Sequence, residues 1–175
     1  VFGWLDERNA SYTFVSTQMV GFDNAYGVTK AIGETWAKLV GNAVITRLWN
    51  CYDLEAPSHR SHVIPDLIAQ GKTGQIRLMT CGDEHRQFLH AQDVADALIH
   101  QRDTGQAVAD VTSGEWITIL DVARIIGATM NATVEVGDQA GYESLVEPTQ
   151  LLQGWTPNID LRTGVKMIAR RLHEI

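Results

Sequence analysis

Two short runs rich in β-branched and aromatic residues flank a helical repeat near the start of the chain. Residues 11 to 17 (Ser-Tyr-Thr-Phe-Val-Ser-Thr) and 42 to 49 (Asn-Ala-Val-Ile-Thr-Arg-Leu-Trp) are bounded by polar residues or glycine, the pattern of buried strands. Between them, Ala31, Ile32, Trp36, Leu39 and Val40 recur at helical spacing within residues 25 to 40. Asp23-Asn24 stands at the entry and Gly41 at the exit, where helix caps belong. Strand, helix and strand in this order predict a βαβ unit, and therefore a parallel sheet.

The pattern is looser downstream. Ser61 is placed to cap a helix holding Ile64, Leu67 and Ile68, with Pro65 in its first turns and Gly71 at its end. Gln75 to Thr80 reads as a strand, Asp93, Val94, Ala97 and Leu98 as a short helix, and residues 107 to 112 as another strand. Thr118 and Asp121 form a capping pair that opens a helix through Ile125 and Ile126, and Thr133 to Val136 follows as a strand. The last stretch, Leu161 to His173, puts Val165, Ile168, Ala169 and Leu172 on one face and Arg162, Lys166 and Arg170 on another. Such a basic stripe is read first as a solvated helix face. The chain shows no internal repeat and no low-complexity segment.

At 175 residues and 45% hydrophobic content the chain is long enough for one domain with a real core. Its 14 basic and 21 acidic residues give a net charge of −7, which argues against a protein built to grip nucleic acid or an anionic membrane. The expectation is therefore no nucleic-acid and no membrane partner. Cys51 and Cys81 stand alone, so neither a disulfide framework nor a zinc site is indicated, and a reducing, cytoplasmic setting is expected. The chain begins with Val rather than Met, consistent with a piece of a longer reading frame.

The sharpest chemical feature is Tyr26-Gly-Val-Thr-Lys30 at the start of the first helix. Residues four apart lie one above the other on a helix, so the ammonium stands near the phenol. A cation there favours the phenolate and makes a base usable near neutral pH. Ser16 and Thr17 end the preceding strand, and the carboxyl ends of parallel strands face the ligand crevice of such folds. His59, His62, His85 and His90 share no ligand spacing with a third partner, so no metal site is expected. The five tryptophans are scattered, as core or interface residues are.

Phe14 to Val20, then Tyr26-x-x-x-Lys30, then Arg47-Leu-Trp-Asn-Cys-Tyr52 together resemble the extended short-chain dehydrogenases, the NAD-dependent epimerase/dehydratase family acting on nucleotide sugars. Gly82 to His90 with Asp93-Val-Ala95, Asp110 to Glu115, and Gly154-Trp-Thr-Pro157 are similar to the later motifs of the same family, in the same order. The resemblance implies an α/β fold: part of a doubly wound, Rossmann-like parallel sheet with a small α/β substrate-binding region, made mostly of residues 54 to 106 and 130 to 160. On this reading residues 1–175 are a single, truncated domain. Residues 1–53 end the dinucleotide-binding sheet, and 54–175 are mainly substrate-binding with interleaved sheet elements.

The resemblance further implies NAD or NADP as cofactor and a nucleotide-sugar substrate. Tyr26 would take a sugar hydroxyl proton, Lys30 would hold the phenolate and bond the nicotinamide ribose, and Thr17 or Ser16 would hydrogen-bond the same sugar oxygen. Matching Val-Ser-Thr favours Thr17, whereas counting back five from Gly21 gives Ser16. Asn50 would contact the diphosphate region and Arg86 its phosphate, the alternative for Arg86 being a strand residue paired with Asp83 or Glu84. Gln18-Met19 replaces the Asp-Glu pair of the family's dehydratases, so an epimerase or reductase is preferred over a dehydratase. No glycine-rich pyrophosphate turn precedes Ser16. A chain without it would hold NAD weakly; an unpaired edge on the Tyr12 to Thr17 strand and partial exposure of Ile32, Trp36 and Leu39 would make it self-associate, as a homodimer or otherwise. The rival reading is a non-catalytic remnant or partner module that keeps the fold and binds a nucleotide sugar without turnover.

Overall fold

The computed structural model describes residues 5, 7, 10–55, 62–142 and 145–173. In chain order the strands are β1 (Tyr12–Thr17), β2 (Ala43–Leu48), β3 (Asn50–Tyr52), β4 (Gln75–Arg77), β5 (His85–Arg86), β6 (Phe88–His90), β7 (Val108–Val111), β8 (Ile117–Thr118) and β9 (Thr133–Glu135). The helices are α1 (Ala25–Val40), α2 (Val63–Gly71), α3 (Ala91–Thr104), α4 (Ile119–Met130) and α5 (Leu161–His173), with a short 3-10 turn at Gln18–Gly21. These elements form two compact units, interleaved in sequence: 1–49 with 92–112 and 146–157, and 50–91 with 113–145 and 158–175.

The first unit is built on a parallel sheet in the order β1-β2-β7. Tyr12 pairs with Ala43 through to Thr17 with Leu48, and Ile45 with Val108 through to Leu48 with Val111. The connection from β1 to β2 is α1, whose ends fall where the sequence puts them. Asn24 caps the start by accepting the Gly27 N–H at 2.8 Å, and Gly41 closes it at φ +79°, a conformation open to residues without a Cβ. Residues 92–106 belong to this unit and not with the segment from 54 onward. Buried Gln101 of α3 explains how: its amide donates to the carbonyls of Ile45 and Gln106 at 3.0 and 2.9 Å and accepts from Thr46 Oγ1.

The face that α1 turns to the sheet is not the apolar stripe of its sequence. Gly27, Glu34 and Ala37 are buried, whereas Ile32, Trp36 and Leu39 are 55%, 53% and 73% exposed. Periodicity correctly marks a helix with an apolar stripe but carries no information about what covers that stripe. Glycine allows the closeness of the inner face: a Cβ on Gly33 would enter the Phe14 ring, and one on Gly27 would meet the Met19 carbonyl.

The second unit packs α2, α4 and α5 around one core that includes Ile64, Leu67, Ile68, Val122, Ile126 and Val165. Three two-stranded ladders complete it: β3 with β6 and β4 with β9 parallel, β5 with β8 antiparallel. Thr118 caps α4 by accepting the Asp121 N–H at 3.0 Å, as the capping pair predicts. Ser61, the expected cap of α2, lies outside the described residues, and His62 occupies the N-cap position. The strand expected over Gln75 to Thr80 narrows to β4, after which a single bridge joins Thr80 to Gln139. Along α5, Val165, Ile168 and Ala169 are buried while Arg162, Lys166 and Arg170 face solvent.

Candidate active site

At the carboxyl end of β1, local geometry places every group the sequence singles out in the first unit. Thr17 ends the strand and caps the 3-10 turn, its Oγ1 accepting the Met19 N–H at 3.3 Å. The chain then enters α1, so that Tyr26 stands in its first turn and Lys30 one turn further on the same stripe. The Lys30 ammonium donates to the Val15 carbonyl at 2.9 Å and lies 5.8 Å from the centre of the Tyr26 ring and 5.7 Å from that of Phe14. Tyr26 is 56% exposed. A solvent-facing phenol beside a tethered cation is a competent arrangement for moving a proton to or from a bound molecule.

Ser16 and Thr17 are both buried, yet their hydroxyls are used differently. Ser16 Oγ donates to Glu34 Oε1 at 2.7 Å. Glu34 also accepts from Arg47 Nε and Nη2 at 2.8 and 2.7 Å, a two-pronged pairing with the residue that faces Ser16 across the β1–β2 ladder. Burial alone would raise the Glu34 pKa, but the hydrogen bonds of Arg47 and Ser16 and the charges of Arg47 and Lys38 outweigh it and hold the carboxyl below its ordinary value. The hydrogen bond to Glu34 in turn raises the Arg47 pKa against the opposing effect of burial, with the Glu34 and Asp110 charges adding to it. Glu34 belongs to none of the sequence motifs above. The available signal was its place one turn after Lys30 on the Tyr26 stripe.

In the second unit, Asn50 opens β3 and its amide donates to the Gln87 carbonyl at 3.1 Å. Half-buried Arg86 donates to the carbonyls of His85 at 2.7 Å and Tyr142 at 3.4 Å. The carboxylates considered as its partners are engaged elsewhere: Asp83 accepts the Gly141 N–H at 2.8 Å, and Glu84 accepts from Thr80 Oγ1 at 3.1 Å. The backbone bond from Gly141, with one from the Cys81 side chain, keeps the Asp83 pKa below its usual value.

Among the described residues no group of three or more His, Cys, Asp or Glu side chains is arranged to hold a metal; His59 lies outside them, and His62 pairs with Glu55 at 2.6 Å. Likewise, no helix of the described residues is long and apolar enough to cross a membrane. A cavity of about 590 Å³ in the second unit, bordered by Asp121, Arg124 and Arg162, contains none of the candidate residues.

Residues 1–111 match the model of the NAD dependent epimerase/dehydratase family. The chain is 30% identical over 165 residues to a dTDP-4-dehydro-6-deoxy-D-allose reductase of Streptomyces bikiniensis, covering 85% of this chain and 50% of that protein. It is 29% identical over 128 residues to a putative GDP-L-fucose synthase of Oryza sativa subsp. japonica, covering 65% and 37%. The chain thus spans half or less of the length of these relatives. Among solved structures, the UDP-glucose 4-epimerase of Thermotoga maritima with UDP-glucose superimposes at a TM-score of 0.85 and 15% identity, over 99% of this chain and 67% of that one. The UDP-glucose 4-epimerase of Thermus thermophilus in complex with NAD gives 0.81 at 18% identity, over 98% and 67%. With the strand order, the Tyr26–Lys30 stripe and these likenesses in agreement, the chain belongs to the NAD-dependent epimerase/dehydratase family.

Proposed function

We propose that this chain carries the proton-transfer group and the substrate-binding part of an NAD(P)-dependent nucleotide-sugar epimerase or reductase. The observation that carries this reading is the fixed Lys30 ammonium beside the exposed Tyr26 phenol, next to Thr17 at the carboxyl end of a parallel strand. Tyr26 takes the proton of a sugar hydroxyl while the carbon bearing it gives up hydride, and returns a proton to the carbonyl oxygen in the reverse direction. Thr17 holds the same oxygen. Its Oγ1 accepts from Met19 and keeps its own proton to donate, whereas the Ser16 proton is committed to Glu34.

An exposed phenol and ammonium on one stripe are donors suited to the nicotinamide end of NAD or NADP, and Tyr26 with Lys30 would hold its ribose. When bound, the nicotinamide supplies the hydride acceptor or donor. In the second unit, Asn50 and Arg86 would receive the substrate diphosphate, the guanidinium fork matching paired phosphate oxygens. The reductase and fucose-synthase names of the curated relatives, together with Gln18-Met19 after Thr17, favour epimerase or reductase over dehydratase. The exposed stripe of Ile32, Trp36 and Leu39 supports self-association through α1.

The test is oxidation of NADPH or NADH by the full-length polypeptide with a panel of 4-keto nucleoside-diphosphate sugars, compared with Tyr26→Phe. Turnover that falls by about 100-fold or more in a folded Tyr26→Phe protein supports the reading. Turnover unchanged by the substitution overturns it.

A further inference from the structure

Tyr26, Lys30 and Glu34 are spaced four apart on α1 and so share one stripe. Glu34 is the most buried of the three, with 4% of its side chain exposed. A carboxylate removed from water to that degree is tolerated only when its oxygens are paired. Here both oxygens are engaged: Ser16 Oγ at 2.7 Å from β1, Arg47 Nε and Nη2 at 2.8 and 2.7 Å from β2, and Lys38 Nζ 4.0 Å away on α1 itself. Arg47 is itself held from the far side, since it lies opposite Asp110 in the β2–β7 register. The Asp110 carboxylate accepts the backbone N–H groups of Thr149 and Gln150 at 2.6 and 2.8 Å.

Two single hydrogen bonds also join α1 to β1, from the Lys30 ammonium to the Val15 carbonyl at 2.9 Å and from the Tyr12 hydroxyl to the Ala37 carbonyl at 3.4 Å. The apolar stripe of Ile32, Trp36 and Leu39 faces outward, and the inner face holds small residues, with Gly27 against the Met19 carbonyl and Gly33 against the Phe14 ring, which bring the helix close. The two-pronged guanidinium–carboxylate pair adds a directional, charge-assisted constraint on the turn of the helix, because both hydrogen bonds hold only near one orientation.

We infer that Glu34 is a positioning residue, clamped by Arg47 and Ser16 so that α1 is held at the rotation and register that set Tyr26 and Lys30 beside Thr17. The same clamp withdraws the Ser16 hydroxyl from the reaction and leaves Thr17 as the donor. This inference rests on the proton-transfer role proposed for Tyr26.

The experiment compares Glu34→Gln, which places an amide N–H₂ against an Arg47 donor, and Arg47→Lys, which keeps the charge and loses the fork. Both are made in the full-length polypeptide, with folding checked by circular dichroism. The first readout is the NMR signal of the Lys30 ε-methylene, assigned by its loss in Lys30→Arg. The Phe14 and Tyr26 rings, whose centres lie 5.7 and 5.8 Å from Nζ, are expected to shift it in the parent protein, and in both variants that shift should collapse toward the value of an exposed lysine. The second readout is turnover on the 4-keto sugar panel. Both variants lose 10-fold or more in kcat with less than a twofold change in KM for the nucleotide sugar. Ring-shifted Lys30 signals and undiminished kcat in folded variants would overturn the clamp, whatever Tyr26→Phe does. Loss of the shift with turnover insensitive to Tyr26→Phe would leave the clamp standing and overturn the function instead.

Discussion

Lys30 Nζ is hydrogen-bonded to the Val15 carbonyl at 2.9 Å and stands 5.8 Å from the centre of the Tyr26 ring. A lysine free to rotate would spend its time in water, so the β1 carbonyl is what keeps the charge beside the phenol. Lys30→Met is therefore expected to lower kcat of the full-length protein by about 100-fold and to weaken its affinity for NADH. Steady-state kinetics and a fluorescence titration with NADH check the two effects, and unaltered values for both would remove Lys30 from the site.

Thr17→Val and Ser16→Ala should separate the two adjacent hydroxyls. Removing a donor aimed at a developing charge costs about 100-fold in kcat, the outcome expected for Thr17→Val. Ser16→Ala takes away one of the hydrogen bonds that Glu34 accepts and should cost about fivefold at most. The reverse ranking would assign the sugar oxygen to Ser16.

Arg86 donates to the carbonyls of His85 at 2.7 Å and Tyr142 at 3.4 Å, and the longer of the two is the weaker hold from which a substrate phosphate would recruit the guanidinium. Arg86→Ala is expected to weaken binding of a nucleoside diphosphate by about 1.5–3 kcal/mol, the scale of a charge-assisted contact, with little effect on NADH. Calorimetric titration with UDP, GDP and dTDP measures it. Equal affinity of the two proteins for all three would return Arg86 to a structural role.

Glu34 gives stability a direction with pH. Its folded pKa lies below the ordinary value of 4.5, so its contribution is fully present above that value and is lost as pH falls through the lower folded one. Glu34→Gln, which leaves Arg47 without its full partner, should cost about 3 kcal/mol at pH 7. The difference in Tm between parent and variant should narrow steadily below about pH 4.5. Asp83 and Asp160, also held below their ordinary values, are present in both proteins and cancel in the comparison. A Tm gap that stays constant from pH 7 to pH 3 would show that the carboxylate charge is not what Arg47 holds.

The outward stripe of α1 predicts association. Trp36→Glu combined with Leu39→Glu places charge on residues that are 53% and 73% exposed, so the fold should be retained while the oligomer dissociates. Light scattering across a dilution series of the parent and the double variant reads this directly. A parent protein monomeric at every concentration tested would leave the stripe without a partner copy.

By itself the sequence determined the elements whose causes are local. Asn24 and Gly41 fix both ends of α1 through a side-chain cap and a positive φ, Thr118 and Asp121 start α4, and β-branched runs mark β1 and β2. The four-residue spacing of Tyr26 and Lys30 likewise puts the two side chains on one stripe by helical geometry alone, although the Val15 carbonyl that tethers the ammonium comes from β1. Tertiary structure decided everything that depends on pairing distant segments. It placed α3 with the first unit through Gln101, Ile45 and Thr46, turned Glu34 rather than Ile32 toward the sheet, and brought the Tyr142 carbonyl to Arg86. The reason is the same in each case: a periodic pattern states which residues share a face, and a buried charge such as Glu34 breaks that pattern unless a partner from another strand, here Arg47, is brought to meet it.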